Sequence, residues 1–220
     1  MRKTVLLYSG GLDSYITGYL FKDIIDVVLF ISLNTIYSVK EHSVVEALLI
    51  PGHVTVIYNS INLGPLENKK TCFVPCRNII LSIIASHFGE VIFLGGLKED
   101  RVVDNSFSAF NDFSTIVSKY GEKQVVVVSP IRGFTKTQLV AEYLERGGDI
   151  YNLWKTTSCY HPTSLYCGKC KSCFRKFVAF KNNNIKIDYY NNEILEEYKN
   201  LAEAHFFIPQ RNEEILRAIK

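Results

Sequence analysis

The chain has 220 residues, 47% of them apolar, and a formal charge of +3. That length suits one large domain or a domain with an appendage, the charge is too small to argue for nucleic acid, and no apolar run approaches the roughly 18 residues of a membrane span. Met1-Arg2-Lys3 ahead of Val5-Leu6-Leu7 faintly imitates a signal peptide, but the apolar part stops at once in Ser-Gly-Gly, so the expected compartment is the cytoplasm.

Short β-branched runs at residues 4–7, 27–31, 54–58, 91–94 and 125–128 predict strands. Between them, residues 13–21, 41–49, 77–88, 107–119 and 135–144 carry helical spacing. Strand alternating with helix predicts an α/β fold, a parallel twisted sheet with helices on both faces. Four consecutive valines at 125–128 suit a strand buried on both sides. Ligands on such sheets lie beyond the carboxyl ends of the strands, where Ser9, Asn34 and residues 95–100 and 129–132 fall. The style changes after Tyr151, so the chain divides into residues 1–150 and a smaller C-terminal region, 151–220, packed on the first. That region holds a cysteine cluster, a basic and apolar stretch, a loop or turn at Asn182-Asn183-Asn184, a helix over 192–205 ended by Ile208-Pro209, and a last short helix over 212–219.

The segment Tyr8-Ser9-Gly10-Gly11-Leu12-Asp13-Ser14 directly follows the first strand. A glycine turn between strand and helix exposes N–H groups that can hold a phosphate. Gly10 and Gly11 let the backbone approach an anion, and Ser9 and Ser14 add hydroxyls. Asp13 would repel phosphate, so its expected roles are to cap the helix or to meet a nucleotide through Mg²⁺. A Walker loop is absent.

In a reducing compartment cysteines are not read as a disulfide framework. Cys159-x₇-Cys167-x₂-Cys170-x₂-Cys173 can close a tetrahedral thiolate site, with Gly168 relieving the first turn, which suits structural Zn²⁺; an iron–sulfur cluster could use the same ligands. His161 is a spare candidate next to a set already filled by four thiolates. Lys155, Lys169, Lys171, Arg175, Lys176 and Lys181 form a stretch without acidic residues, read either as an anion contact or as charge balance around the metal site.

The Ser9–Ser14 loop resembles the SGGxDS loop of the ATP pyrophosphatase (PP-loop) superfamily. Together with Phe73-Val74-Pro75-Cys76-Arg77-Asn78, Gly95 through Glu99-Asp100, Thr135-Lys136 after Pro130-Ile131, and Ser158-Cys159-Tyr160 with the later cysteines, it resembles the 7-cyano-7-deazaguanine synthase (QueC/ExsB) family from Val5 to about Phe180. The resemblance implies an adenine nucleotide alpha hydrolase-like fold with a C-terminal zinc region. It also implies ATP and catalytic Mg²⁺ as cofactors, with a 7-deazaguanine carboxylate and ammonia as small-molecule partners. The carboxylate would be adenylated, aminated and dehydrated to a nitrile. Asp13, Arg77, Asp100 and Lys136 are the expected catalytic residues, with Asn34 bounding the substrate. Nucleic acid is not required, no membrane is involved, and a homodimer is left open.

The chain departs from the family pattern at three places. Residues 32–42 replace a D-Y-G-Q-R-H block, of which only His42 could correspond. Cys76 stands for a glycine, and an inert, small buried cysteine fits that helix start better than a nucleophile. Val102 to Phe107 replaces an S-G-Y-P-D-C block, which leaves open a relative that couples the activated carboxylate to a different amine on protein or nucleic acid. Shortness and richness in Asn, Lys and Ile fit a phage or an AT-rich genome, in which case the compartment is the host cytoplasm.

Overall fold

The computed structural model describes residues 2–68, 72–159 and 161–220. Strands β1 (Thr4–Leu7), β2 (Val27–Ile31), β3 (Thr55–Tyr58), β4 (Val91–Phe93) and β5 (Val126–Val128) form one parallel sheet in the order β3-β2-β1-β4-β5. The helices in chain order are α1 (Leu12–Leu20), α2 (Ser38–Ala47), α3 (Arg77–Ala85), α4 (Phe107–Tyr120), α5 (Lys136–Glu145), α6 (Ile150–Lys155), α7 (Lys171–Asn182), α8 (Asn192–Glu203) and α9 (Pro209–Ile219). Among the described residues none is long and apolar enough to cross a membrane.

Successive side chains of a strand point to opposite faces. Along β1, Leu6 joins one core and Val5 and Leu7 another, and all three are buried, so both faces of the sheet are covered. The Leu6 side holds Ile16 of α1, Val140 of α5, Phe174 and Phe177 of α7 and Ile215 of α9. The Val5 side holds Ala85 of α3 and Phe110 and Phe113 of α4. Residues before and after position 150 therefore share one continuous core. The chain runs outward from β1 to β2 and β3, then returns to lay β4 on the other side of β1. That reversal opens a crevice at the carboxyl ends of β1 and β4, the place where open parallel sheets take their ligands.

Three local readings are corrected. The four-valine run ends up at a sheet edge as β5, with Val125 and Val127 buried but Val126 and Val128 only half-buried, because its neighbours are β4 and α4 and no strand lies beyond. The basic stretch after the cysteines is helix α7, preceded by α6. Its charges do not form one surface: Lys176 is buried and donates to the Leu153 and Thr156 carbonyls at 2.9 and 3.1 Å. Finally, Pro209 opens α9 rather than only ending α8, since its fixed φ and missing N–H suit the first helical position.

Candidate active site and cysteine cluster

The turn after β1 is held in place by its neighbours. Gly10 adopts φ +68°, and a Cβ there would sit 2.7 Å from Val44 of α2, so this glycine serves the turn and the packing. It is not among the residues that line the cavity described below. Gly11 does line it, and forms the N-cap of α1 without any side-chain cap. The first-turn N–H groups of an uncapped helix are left for a ligand. Ser14 Oγ donates to the Gly11 carbonyl at 3.0 Å and lies 3.3 Å from Ser9 Oγ. Tyr8 is committed inward, its hydroxyl donating to the Leu48 carbonyl, and Leu12 is buried in the core.

Asp13 caps nothing. Its carboxylate meets Lys136 Nζ at 2.5 and 2.7 Å, joining the first turns of α1 and α5. Lys136 is buried rather than a surface lysine, at the start of a helix that Thr135 and Gln138 close with a reciprocal capping box. Asp100 accepts from the Leu97 N–H at 2.9 Å and from Arg175 Nη2 at 2.7 Å. Burial opposes its ionisation, but the Arg175 charge and the Leu97 N–H outweigh this and hold the carboxyl below its usual range. Arg175 also reaches Glu99 at 3.0 Å, and Arg211 of α9 backs Glu99 by donating to its carbonyl at 3.2 Å.

Arg77 begins α3, is exposed and also lines the cavity. The residue before it, Cys76, has φ 57°, the left-handed region that glycine enters at no steric cost. This accounts for the glycine in the family pattern, and Cys76 is exposed, not buried as expected. Asn78 is buried and donates to Asn105 Oδ1 at 2.8 Å and to the Asp104 carbonyl at 3.2 Å, fastening the altered 102–107 segment to α3. Asn34 does not join the site: it is exposed, its amide donates to the Ile61 carbonyl at 2.9 Å, and it is absent from the cavity wall. His42 faces Glu46 at 3.4 Å and is likewise outside that wall.

Ser9, Asp13, Arg77, Asp100 and Lys136 all line one cavity of about 420 Å³, within the usual range of small-molecule sites. Sequence reasoning missed Lys40 and Glu41 of α2, which also line it. Lys40 is buried and donates to the carbonyls of Cys159 and His161, each at 2.7 Å. Burial pushes the Glu41 carboxyl up, with the Arg77 and Lys40 charges pulling the other way. Arg175, read earlier only as one of a basic run, is a third wall residue. The only local signal was the Lys-Glu dipeptide in a block that differs from the family pattern.

The sulfur atoms of Cys159, Cys167, Cys170 and Cys173 lie within 4.8 Å of one another. The Cys159–Cys170 and Cys167–Cys173 separations are 4.0 and 3.8 Å, close to the roughly 3.8 Å edge of a tetrahedron with zinc–sulfur bonds of about 2.3 Å. N–H groups of His161 and Cys173 point at Cys159 and Cys170 sulfur, each at 3.3 Å. The His161 ring is not part of the group; its Nδ1 accepts from Ser164 N–H at 3.3 Å. Gly168 has φ +67°, the turn expected of it, while Tyr160 lies outside the described residues. The cluster is tied to the glycine turn, because Thr157 donates to the Gly10 carbonyl at 2.9 Å.

A 7-cyano-7-deazaguanine synthase of Rickettsia akari (strain Hartford) is 28% identical, the match covering 84% of this chain and 97% of that protein. One from Rickettsia conorii (strain ATCC VR-613 / Malish 7) is 30% identical, covering 84% and 96%. Among solved structures, a 4-thiouridine synthetase–RNA complex with bound ATP is similar at 17% identity and a TM-score of 0.45, over 99% of this chain and 53% of that one. The model of the family described as queuosine biosynthesis protein QueC matches residues 44–184, more than half of the chain and the stretch that carries Arg77, Asp100, Lys136 and the cysteines, and the chain belongs to that family.

Proposed function

We propose that the protein is an ATP-dependent synthase that converts 7-carboxy-7-deazaguanine and ammonia to 7-cyano-7-deazaguanine. The observation that carries this reading is a ligand-sized cavity linking the uncapped start of α1 to Lys136 and Arg77, in a chain whose relatives bear that enzyme's name. A substrate carboxylate oxygen attacks the α-phosphorus of ATP, the α–β anhydride bond breaks, and pyrophosphate leaves toward the N–H groups after Gly11. Such preorganised donors stabilise a leaving group most where water is excluded. Arg77 and Lys136 hold the carboxylate and the α-phosphate as charge-assisted partners. Holding the two in line supplies much of the rate by proximity. Ammonia then attacks the acyl carbon, AMP departs, and a proton is lost to give the amide. Adenylation of the amide oxygen by a second ATP releases pyrophosphate and one N–H proton, and loss of AMP with the second N–H proton then yields the nitrile.

Asp13 and Asp100 are the carboxylates that would hold Mg²⁺, which when bound neutralises phosphate charge. Both now face cations, Lys136 and Arg175, so a metal there would take further ligands from the nucleotide. The four cysteines fit Zn²⁺ with every position filled by protein, which is a structural role. No nucleic acid is needed. The test is incubation with ATP, Mg²⁺, ammonium and 7-carboxy-7-deazaguanine, with products read by mass. The nitrile, with pyrophosphate released, is expected. γ-Phosphate transfer without pyrophosphate, or no reaction of the carboxy-deazaguanine, would overturn the reading.

A further inference from the structure

Glu41 is the anomaly of the cavity. It lies in the first turn of α2 and lines the wall, yet its carboxylate has no hydrogen-bond or ion-pair partner among the described residues. Both nearby cations fail to pair with it: Lys40 spends its ammonium on the Cys159 and His161 carbonyls, and Arg77 forms no ion pair with it among the described residues. Its partial burial raises its pKa, with the Arg77 and Lys40 charges pulling the other way. A group of this kind is costly unless a ligand supplies the donors. The same cavity wall carries Phe30, Leu33, Val74 and Leu81, apolar side chains that suit a flat ring.

We propose that Glu41 reads the base, its two carboxylate oxygens accepting from the ring N1–H and the 2-amino group of a 2-aminopyrimidinone edge. An ionised carboxylate accepts two parallel donors of this spacing as it does the fork of an arginine. That edge and the 7-carboxylate lie at opposite ends of a 7-deazaguanine bicycle. A base held at Glu41 therefore turns its carboxylate away from that residue and into the cavity, whose wall also carries Arg77, Ser9, Asp13 and Lys136. Glu67 is the competing acid on the same wall, but its Oε2 accepts from the Ile36 N–H at 3.2 Å and its Oε1 is buried, with no partner among the described residues. This assignment rests on the synthase reading above and deepens it.

The test compares 7-carboxy-7-deazaguanine with its analogue lacking the 2-amino group, following pyrophosphate release by the whole protein and its Glu41→Gln and Glu67→Gln variants. The wild type should favour the amino compound in kcat/KM by roughly 10- to 100-fold, the worth of one hydrogen bond to a charged group. Glu41→Gln should bring the two compounds close to parity while binding ATP as tightly in calorimetry. Glu67→Gln should keep the preference. If Glu41→Gln lacks a folding transition, Glu41→Asp replaces it, and its shorter carboxylate should narrow the preference. A preference that survives at full size in the folded Glu41 variant, or that disappears only with Glu67→Gln, overturns the assignment. A wild type that turns over neither compound refutes the synthase reading, and this assignment with it.

Discussion

Lys136→Met tests whether the pair at the mouth of the glycine turn holds the site together. Lys136 Nζ lies 2.5 and 2.7 Å from the Asp13 oxygens, and the two side chains are 9% and 31% exposed. Opposite charges about 4 Å apart attract by about 4 kcal/mol at an effective dielectric near 20. Asp13 keeps nearly a third of its surface in water, so screening reduces this to a coupling of about 2 kcal/mol. Methionine fills similar space but leaves Asp13 facing incoming phosphates with no counter-charge. A double-mutant cycle of Lys136→Met with Asp13→Asn, by urea denaturation, should return that coupling. Pyrophosphate release should fall by about 100-fold in Lys136→Met, as when one preorganised electrostatic partner is removed. A coupling below about 0.5 kcal/mol, the level of exposed pairs, would refute the reasoning.

Replacing any of Cys159, Cys167, Cys170 or Cys173 by Ser should lower zinc below one per chain in elemental analysis and destabilise the protein by several kcal/mol, because metal binding and folding are coupled; a brown protein containing iron and sulfide would defeat the zinc assignment. Gly11→Val should abolish ATP binding in calorimetry while still showing a folding transition at a lowered melting temperature, since the new Cβ would lie 3.2 Å from Ser9 Oγ and 3.3 Å from the Thr157 carbonyl oxygen, both tight contacts; normal ATP affinity would reduce the turn to a mere connection. Cys76→Gly should raise stability by about 0.5–1 kcal/mol by relieving the left-handed backbone, less the entropy glycine adds to the unfolded chain, and a drop in denaturation midpoint would contradict this. The Asp100 carboxyl titrates below its unfolded value near 3.9, so its stabilisation is present above about pH 4 and is lost as pH falls through the folded value. Asp100→Asn should therefore be less stable than wild type at pH 7, with the gap closing below pH 4; a gap independent of pH would show that the Arg175 pair contributes nothing.

Local rules reach far into this chain. The β-branched runs at 4–7 and 27–31 became β1 and β2 with the same bounds, because a short unbroken apolar run is what a strand covered on both faces needs. The cysteine spacing and Gly168 likewise specify a group of four sulfurs within a short loop. What local rules cannot reach is which strand ends become neighbours. The order β3-β2-β1-β4-β5 is a long-range choice, and it brings Lys136 across 123 residues onto Asp13. The same choice put the four-valine run at an edge, where one flank lacks a strand and half its side chains stay partly open. Lys40 and Glu41 were invisible for a related reason: on a helix of weak apolar pattern, a charged dipeptide reads as a solvated face. Only packing against the cysteine loop and the cavity wall turns that face inward, because burial belongs to neighbours that the sequence does not name.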